Sequence, residues 1–192
     1  MKRAAARHDL ACVLLAAGGS HRLGSPKQLV RLRGRPLLVH ALAAACAAQP
    51  TAPIVVVLGA HALRLRALVR RTAANAEVIY NARWANGMAG SLAAGLSAVP
   101  AGTAAVLVTL VDQPHVDARA LRRVVAAWRR LPGLAAAARY SGRSGVPAYL
   151  AALAGCLVDI DRVDDAQRYV TEARRELDTY QERWTEPLVL VA

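Results

Sequence analysis

Phenylalanine is missing from this chain, and aromatic residues together make up only 4% of it. Alanine and arginine abound instead, a compositional bias that specifies no function by itself. Lysine is scarce too: Lys2 and Lys27 stand against 23 arginines. Lys2 falls in residues 1–9, a stretch expected to be disordered. Lys27 therefore breaks the chain's habit, and a compact ammonium is not interchangeable with a planar guanidinium. The three cysteines, Cys12, Cys46 and Cys156, sit apart in apolar settings. They form no CxxC pair, which argues against a zinc or dithiol site and for simple packing. Long apolar runs are lacking as well. Ile54–Leu58 and Ala104–Val111 fall far short of the ~20 residues that span a bilayer. The basic start has no uninterrupted apolar segment with a cleavage site after it. The expectation is a cytoplasmic protein that does not engage a membrane.

Acidic residues are the other shortage. The net charge is +12, which first suggests nucleic acid. Its distribution argues otherwise. Before residue 159 the carboxylates are Asp9, Glu77, Asp112 and Asp117, whereas residues 159–192 hold nine acids against five arginines. The basic excess is spread evenly, with no dense block and no interleaved aromatics of the kind that stack bases. No nucleic-acid partner is expected.

With 192 residues, 55% of them hydrophobic, the chain suits one domain with a sizeable core. Short apolar runs alternate with helical patterns. Strands are expected at Leu10–Ala16, Ile54–Leu58, Glu77–Tyr80, Ala104–Leu110 and Leu134–Arg139. Helices are expected at Pro36–Ala48, His61–Ala73 and Ser91–Ala98, with a fourth from an Asp117 cap to about Arg130. This alternation indicates βαβ units: an α/β, Rossmann-like three-layer fold with a mostly parallel sheet in a single domain, residues 1–192.

Residues 13–28 carry the most information. The apolar run ends in Ala16-Ala17-Gly18-Gly19, and Ser20, Arg22 and Lys27 follow on a short loop. Glycines let N–H groups converge on an anion, and Arg and Lys add fixed positive charge. Neither the P-loop spacing nor Gly-x-Gly-x-x-Gly is present. An ordinary basic loop and a polyphosphate site both remain open on the glycines alone. Ligands of open α/β sheets lie at the carboxyl ends of the strands. That rule brings Asp112, just after the fourth strand, to the same edge. Asp9 precedes a strand, Glu77 begins one and Asp117 caps a helix, so only Asp112 lacks a local role. A carboxylate beside a phosphate nest implies a cation between them, and Mg²⁺ held by carboxylate and phosphates fits. A turn role before Pro114 is the plainer alternative. Gly87, Met88 and Ser91, in Asn81–Leu92, follow the third strand. They read as a wall for base or ribose, or as a structural loop in which Ser91 caps the next helix.

Together these segments resemble the nucleotidyltransferase family of the molybdenum cofactor cytidylyltransferases. The resemblance is carried by Leu15–Leu29, the Asn-x-x-Trp-x-x-Gly-Met-x-x-Ser-Leu pattern from Asn81, Leu107–Val116 and Gly142-Arg143-Ser144-Gly145-Val146-Pro147. It implies an NTP donor (CTP favoured over GTP by Ala16-Ala17-Gly18), Mg²⁺, pyrophosphate as product, a phosphorylated acceptor such as molybdopterin and a molybdoenzyme partner. The implied nucleotide site is Ala16, Ala17, Gly18, Gly19, Ser20, Arg22, Lys27, Gly87, Met88 and Ser91. Lys27, Arg22 and Asp112 are the implied catalytic residues. Asp112 and Asp161 are the implied metal ligands, Asp161 lying in an Asp159-Ile160-Asp161 element similar to the family's second acidic motif. Residues 148–192 depart from the pattern, because a Gly-Asp-x-Gly-Ala-Arg element is missing. A sugar phosphate or other phosphorylated metabolite as acceptor, or a catalytically weakened nucleotide-binding protein, are the alternatives.

Overall fold

The computed structural model describes residues 10–49, 51–130, 135–140, 143–151 and 188–190, the last three segments by their backbone. In chain order they form β1 (Leu10–Ala16), β2 (Arg31–Leu32), β3 (Arg35–Pro36), α1 (Leu37–Ala48), β4 (Ile54–Leu58), α2 (Ala62–Thr72), β5 (Glu77–Tyr80), α3 (Met88–Ser97), β6 (Ala105–Leu110), α4 (Ala118–Arg130), β7 (Ala135–Tyr140), β8 (Arg143–Ala151) and β9 (Leu188–Leu190). Seven strands make one sheet in the order β5-β4-β1-β6-β8-β7-β9, and β2 and β3 form a separate small hairpin. β5, β4, β1 and β6 pair in parallel. β8 runs against β6, and β7 runs against β8, so β7 regains the direction of the first four. The sheet is mostly parallel, as expected.

The core follows from strand alternation. Successive side chains of a strand point to opposite faces. Leu10, Cys12, Leu14 and Ala16 therefore face one side with Ile54, Val56, Leu58 and Leu107, under α1, α2 and α4. Val13 and Leu15 face the other side with Val55, Val57, Val106 and Val108, and Leu92 and Leu96 of α3 pack against them. Both faces are covered, which is why the central strands are apolar throughout. Arg122 of α4 donates to the Ala47 carbonyl at the end of α1 (3.0 Å) and ties the two helices together.

The fourth helix begins as the sequence indicates: the Asp117 carboxylate accepts the Ala120 N–H at 2.8 Å. The third helix needs correcting. It starts at Met88, not Ser91, because Gly87 adopts φ 116° and ψ 178° and admits an abrupt entry. That backbone is closed to other residue types. Ser91 is thus a buried first-turn residue rather than a cap. The Gly142–Pro147 motif contributes to β8, where Ala137 pairs with Ala148 but Ala138 pairs with Gly145. The skipped Val146 and Pro147 make a bulge, the usual accommodation for a proline that cannot donate to the ladder. A short strand near the end of the chain, β9, pairs with β7. Asp161 and Cys156 lie outside the described residues.

Candidate active site

The carboxyl ends of β1, β4, β5 and β6 share one edge, and the site is built there. β1 empties into Ala17 and then the loop of residues 18–26. Ser20 holds that loop in shape. Its backbone is left-handed at φ 58°, a conformation that is costly for a residue with a side chain. Its hydroxyl accepts the Lys27 N–H at 2.9 Å, closing the loop across seven residues. The amides of Gly18, Gly19 and Ser20 donate to no partner among the described residues. Such amides form an anion-binding concavity.

Lys27 and Asp112 meet over this loop. The Lys27 ammonium and the Asp112 carboxylate form an ion pair of 2.6 Å, with side chains 30% and 39% exposed. Residues 85 apart in sequence are joined because β1 and β6 are parallel neighbours that end together. Asp112 therefore has a partner in the fold that its local sequence did not reveal. Arg22 stands exposed on the same loop, in a short 3-10 turn.

The described carboxylates leave Asp112 as the one suited to a cation at this edge. Glu77 opens β5 at the opposite edge, and Asp117 is engaged as a helix cap. No cluster of three His, Cys, Asp or Glu side chains able to hold a metal occurs among the described residues. One partly exposed carboxylate beside free amides suits a hard cation that takes most of its ligands from phosphate oxygens and water, as Mg²⁺ does.

The segment after β5 lies at the same edge of the sheet. Asn81 accepts the Arg83 N–H on its side-chain oxygen (3.0 Å) and donates its amide to the Ser91 hydroxyl (3.0 Å). Both residues are buried, so the expected Ser91 contact with ligand competes with an internal bond. Met88, at the start of α3, is 59% exposed, and Gly87 precedes it. Trp84 lies across Gly59 and Gly19: a Cβ on either glycine would collide with its ring or Cβ. It also stacks on His21, ring centroids 5.9 Å apart and planes 25° from parallel. Sequence reasoning missed His21 and the fully buried Gln28. No local signal marked Gln28, because a polar residue directly after Lys27 reads as part of the loop.

The antiparallel hairpin closes the picture. β7 ends at Tyr140 and β8 begins at Arg143, which pair with each other. Their tip reaches the Asp112 edge, since Ala148 lies opposite Val108 and Arg143 lies farther toward that end.

A parallel sheet that delivers a glycine turn, a lysine and an aspartate to one edge defines an α/β protein of the nucleotidyltransferase class. The chain belongs to the family with a MobA-like NTP transferase domain, matching it over residues 12–183. Among solved structures, it superposes on Rv0371c from Mycobacterium tuberculosis H37Rv with a TM-score of 0.71 and 28% identity, covering 87% of this chain and 84% of that one. A second structure of Rv0371c, a complex with manganese, gives 0.66 and 26% over the same shares. The molybdopterin-guanine dinucleotide biosynthesis protein A of Archaeoglobus fulgidus shares the fold, with a TM-score of 0.55 and 20% identity over 87% of this chain and 76% of that one. In sequence, the chain is 37% identical over 141 residues to the nicotine blue oxidoreductase of Paenarthrobacter nicotinovorans, 69% of this chain. It spans 64% of that relative's length.

Proposed function

We propose that the protein transfers a nucleotidyl group, CMP from CTP, to a phosphorylated acceptor of the molybdopterin type, releasing pyrophosphate. The observation that carries this reading is the 2.6 Å Lys27–Asp112 ion pair over three unpaired loop amides. A cationic group for phosphate and an anionic group for a metal stand where a triphosphate would enter. The acceptor phosphate oxygen attacks the α-phosphorus, and the bond to the bridging oxygen of the leaving pyrophosphate breaks. No general base is needed, because the nucleophile is already ionised. The protein's part is positioning and charge stabilisation.

Lys27, Arg22 and the amides of Gly18, Gly19 and Ser20 hold the triphosphate. Ala16 and Ala17 lead the chain into that turn. Gly87, Met88 and the first turn of α3 border the base and ribose, with Ser91 behind them. Asp112 holds a divalent cation, Mg²⁺ in this reading, and Asp161 is its proposed second carboxylate. Such an ion, when bound, would supply neutralisation of the phosphate charge. The existence of a manganese complex of Rv0371c supports the use of a divalent cation. CTP and a molybdopterin acceptor rest on the motif resemblance, as does a molybdoenzyme recipient in the cytoplasm. No helix among the described residues is long and apolar enough to cross a membrane.

The test is pyrophosphate release from each of the four NTPs with Mg²⁺, with and without molybdopterin. Release from CTP that depends on molybdopterin is the expected result. Preference for GTP would overturn the donor. Turnover only with a sugar phosphate would overturn the acceptor, and nucleotide binding without turnover on any acceptor would overturn catalysis.

A further inference from the structure

Gln28 is entirely buried, yet it belongs to no apolar cluster. Its side-chain amide donates twice, to the Ala16 carbonyl at 2.8 Å and to the Gly18 carbonyl at 2.9 Å. Carbonyl oxygens only accept, so the NH₂ end must face them. The other end, Oε1, is buried with no partner among the described residues. A buried acceptor left unpaired is destabilising. The two donors of Gln28, by contrast, are both satisfied by carbonyls of the turn.

Peptide geometry carries the effect of these bonds to the N–H groups. In a trans peptide the C=O and the following N–H point in opposite directions. Holding the Gly18 carbonyl against Gln28 turns the Gly19 N–H away from Gln28. The neighbouring carbonyls are held from elsewhere: Ala17, between them, by the Ala60 N–H at 3.1 Å, and Gly19, after them, by the His61 ring at 3.4 Å. Every carbonyl from Ala16 to Gly19 is thus bonded inward, and the N–H after each is set by its carbonyl. Glycines left to themselves would sample many orientations. Gln28 removes that freedom at Gly18, from a position directly after Lys27.

We propose that Gln28 is a positioning residue for the nucleotide polyphosphate. Its amide clamps the turn from Ala16 to Gly18, so that the Gly19 N–H faces the phosphates before they arrive. This inference rests on the reading of the loop as a phosphate site. Preorganised donors lose no free energy to reorientation on binding.

Gln28→Met tests it, since methionine keeps the length and flexibility of the side chain and loses both donors. Pyrophosphate and cytidine are titrated separately by calorimetry, each with Mg²⁺. The expected result is a loss of about tenfold or more for pyrophosphate, the scale of one misplaced charge-assisted hydrogen bond, with cytidine affinity unchanged. Equal losses for both probes, or undiminished pyrophosphate binding, overturn the proposal. Wild-type protein that binds no pyrophosphate overturns the phosphate-site reading itself. A measurement on the wild type guards against a variant that does not fold. The Gln28 side-chain amide protons should exchange slowly by NMR with and without pyrophosphate, while the Gly18, Gly19 and Ser20 amide resonances move on titration. Fast exchange of the Gln28 protons in the free protein overturns the clamp.

Discussion

Lys27 was legible because the chain almost never writes lysine, and Asp112 because every other early carboxylate had a local role. Their pairing was not legible, since nothing local reports that positions 85 apart share a sheet edge. Gln28 was hidden for a similar reason: its partners are carbonyls of another segment, and carbonyls leave no trace in sequence. Ser91 was misread because a serine ahead of an apolar run looks like a cap whether or not Asn81 takes its hydroxyl. The pair itself yields two expectations. Asp112→Asn keeps the shape and removes the charge, so turnover with Mg²⁺ should fall by ~10²-fold or more, the effect of losing one electrostatic stabiliser. Steady-state kinetics check it, and near-normal rates would remove Asp112 from the metal site. Lys27→Ala should weaken CTP binding but spare cytidine. Parallel titrations decide, with equal weakening counting against a phosphate contact.

The strands were easier to read than the helix starts. Ile54–Leu58 is β-branched and bounded, and its limits match the structure. The β2–β3 hairpin is two residues deep on each side, too short for a periodic signal. β8 was disguised by Pro147, which reads as a strand breaker until the bulge at Ala137/Ala138 is seen. α3 is positioned by how closely it lies on the sheet. A Cβ at Gly95 would come within 2.6 Å of Val13 and 2.8 Å of Val57. Gly95→Ala should therefore lift α3 from the sheet and cost about 1–3 kcal/mol, the range for overpacking. Urea unfolding measures the loss. An unchanged midpoint would mean that the helix can shift freely, and then CTP affinity should be unchanged too.

The charge and burial of the whole molecule set its response to ligand and pH. CTP with Mg²⁺ at 100 times its dissociation constant should stabilise the fold by about 2.7 kcal/mol, read as a rise in melting temperature. GTP at the same concentration should give less. Cys12 is deeply buried, and burial pushes its thiol up to about 12 from 9.0, with Cys46 nearby adding to the rise. Burial also raises the Cys46 thiol. A raised acid favours its protonated form in the fold. The contribution is therefore complete below pH 9 and is lost as the pH climbs from there toward 12. Denaturation midpoints across pH 8–11 should fall accordingly, and alkylation of Cys12 at pH 8 should require unfolding. The seam between β6 and β8 divides the sheet by chain segment: the four parallel strands before it come from residues 10–110, and the three beyond it from residues 135–190. Every described residue assigned to the nucleotide lies before that seam's second strand, in residues 16–112. The described part of the proposed nucleotide site is thus contained in one continuous stretch of chain. On the proposed reading, exchanging the chain after residue 142 for another of the same strand pattern would leave every one of those triphosphate and metal residues in place.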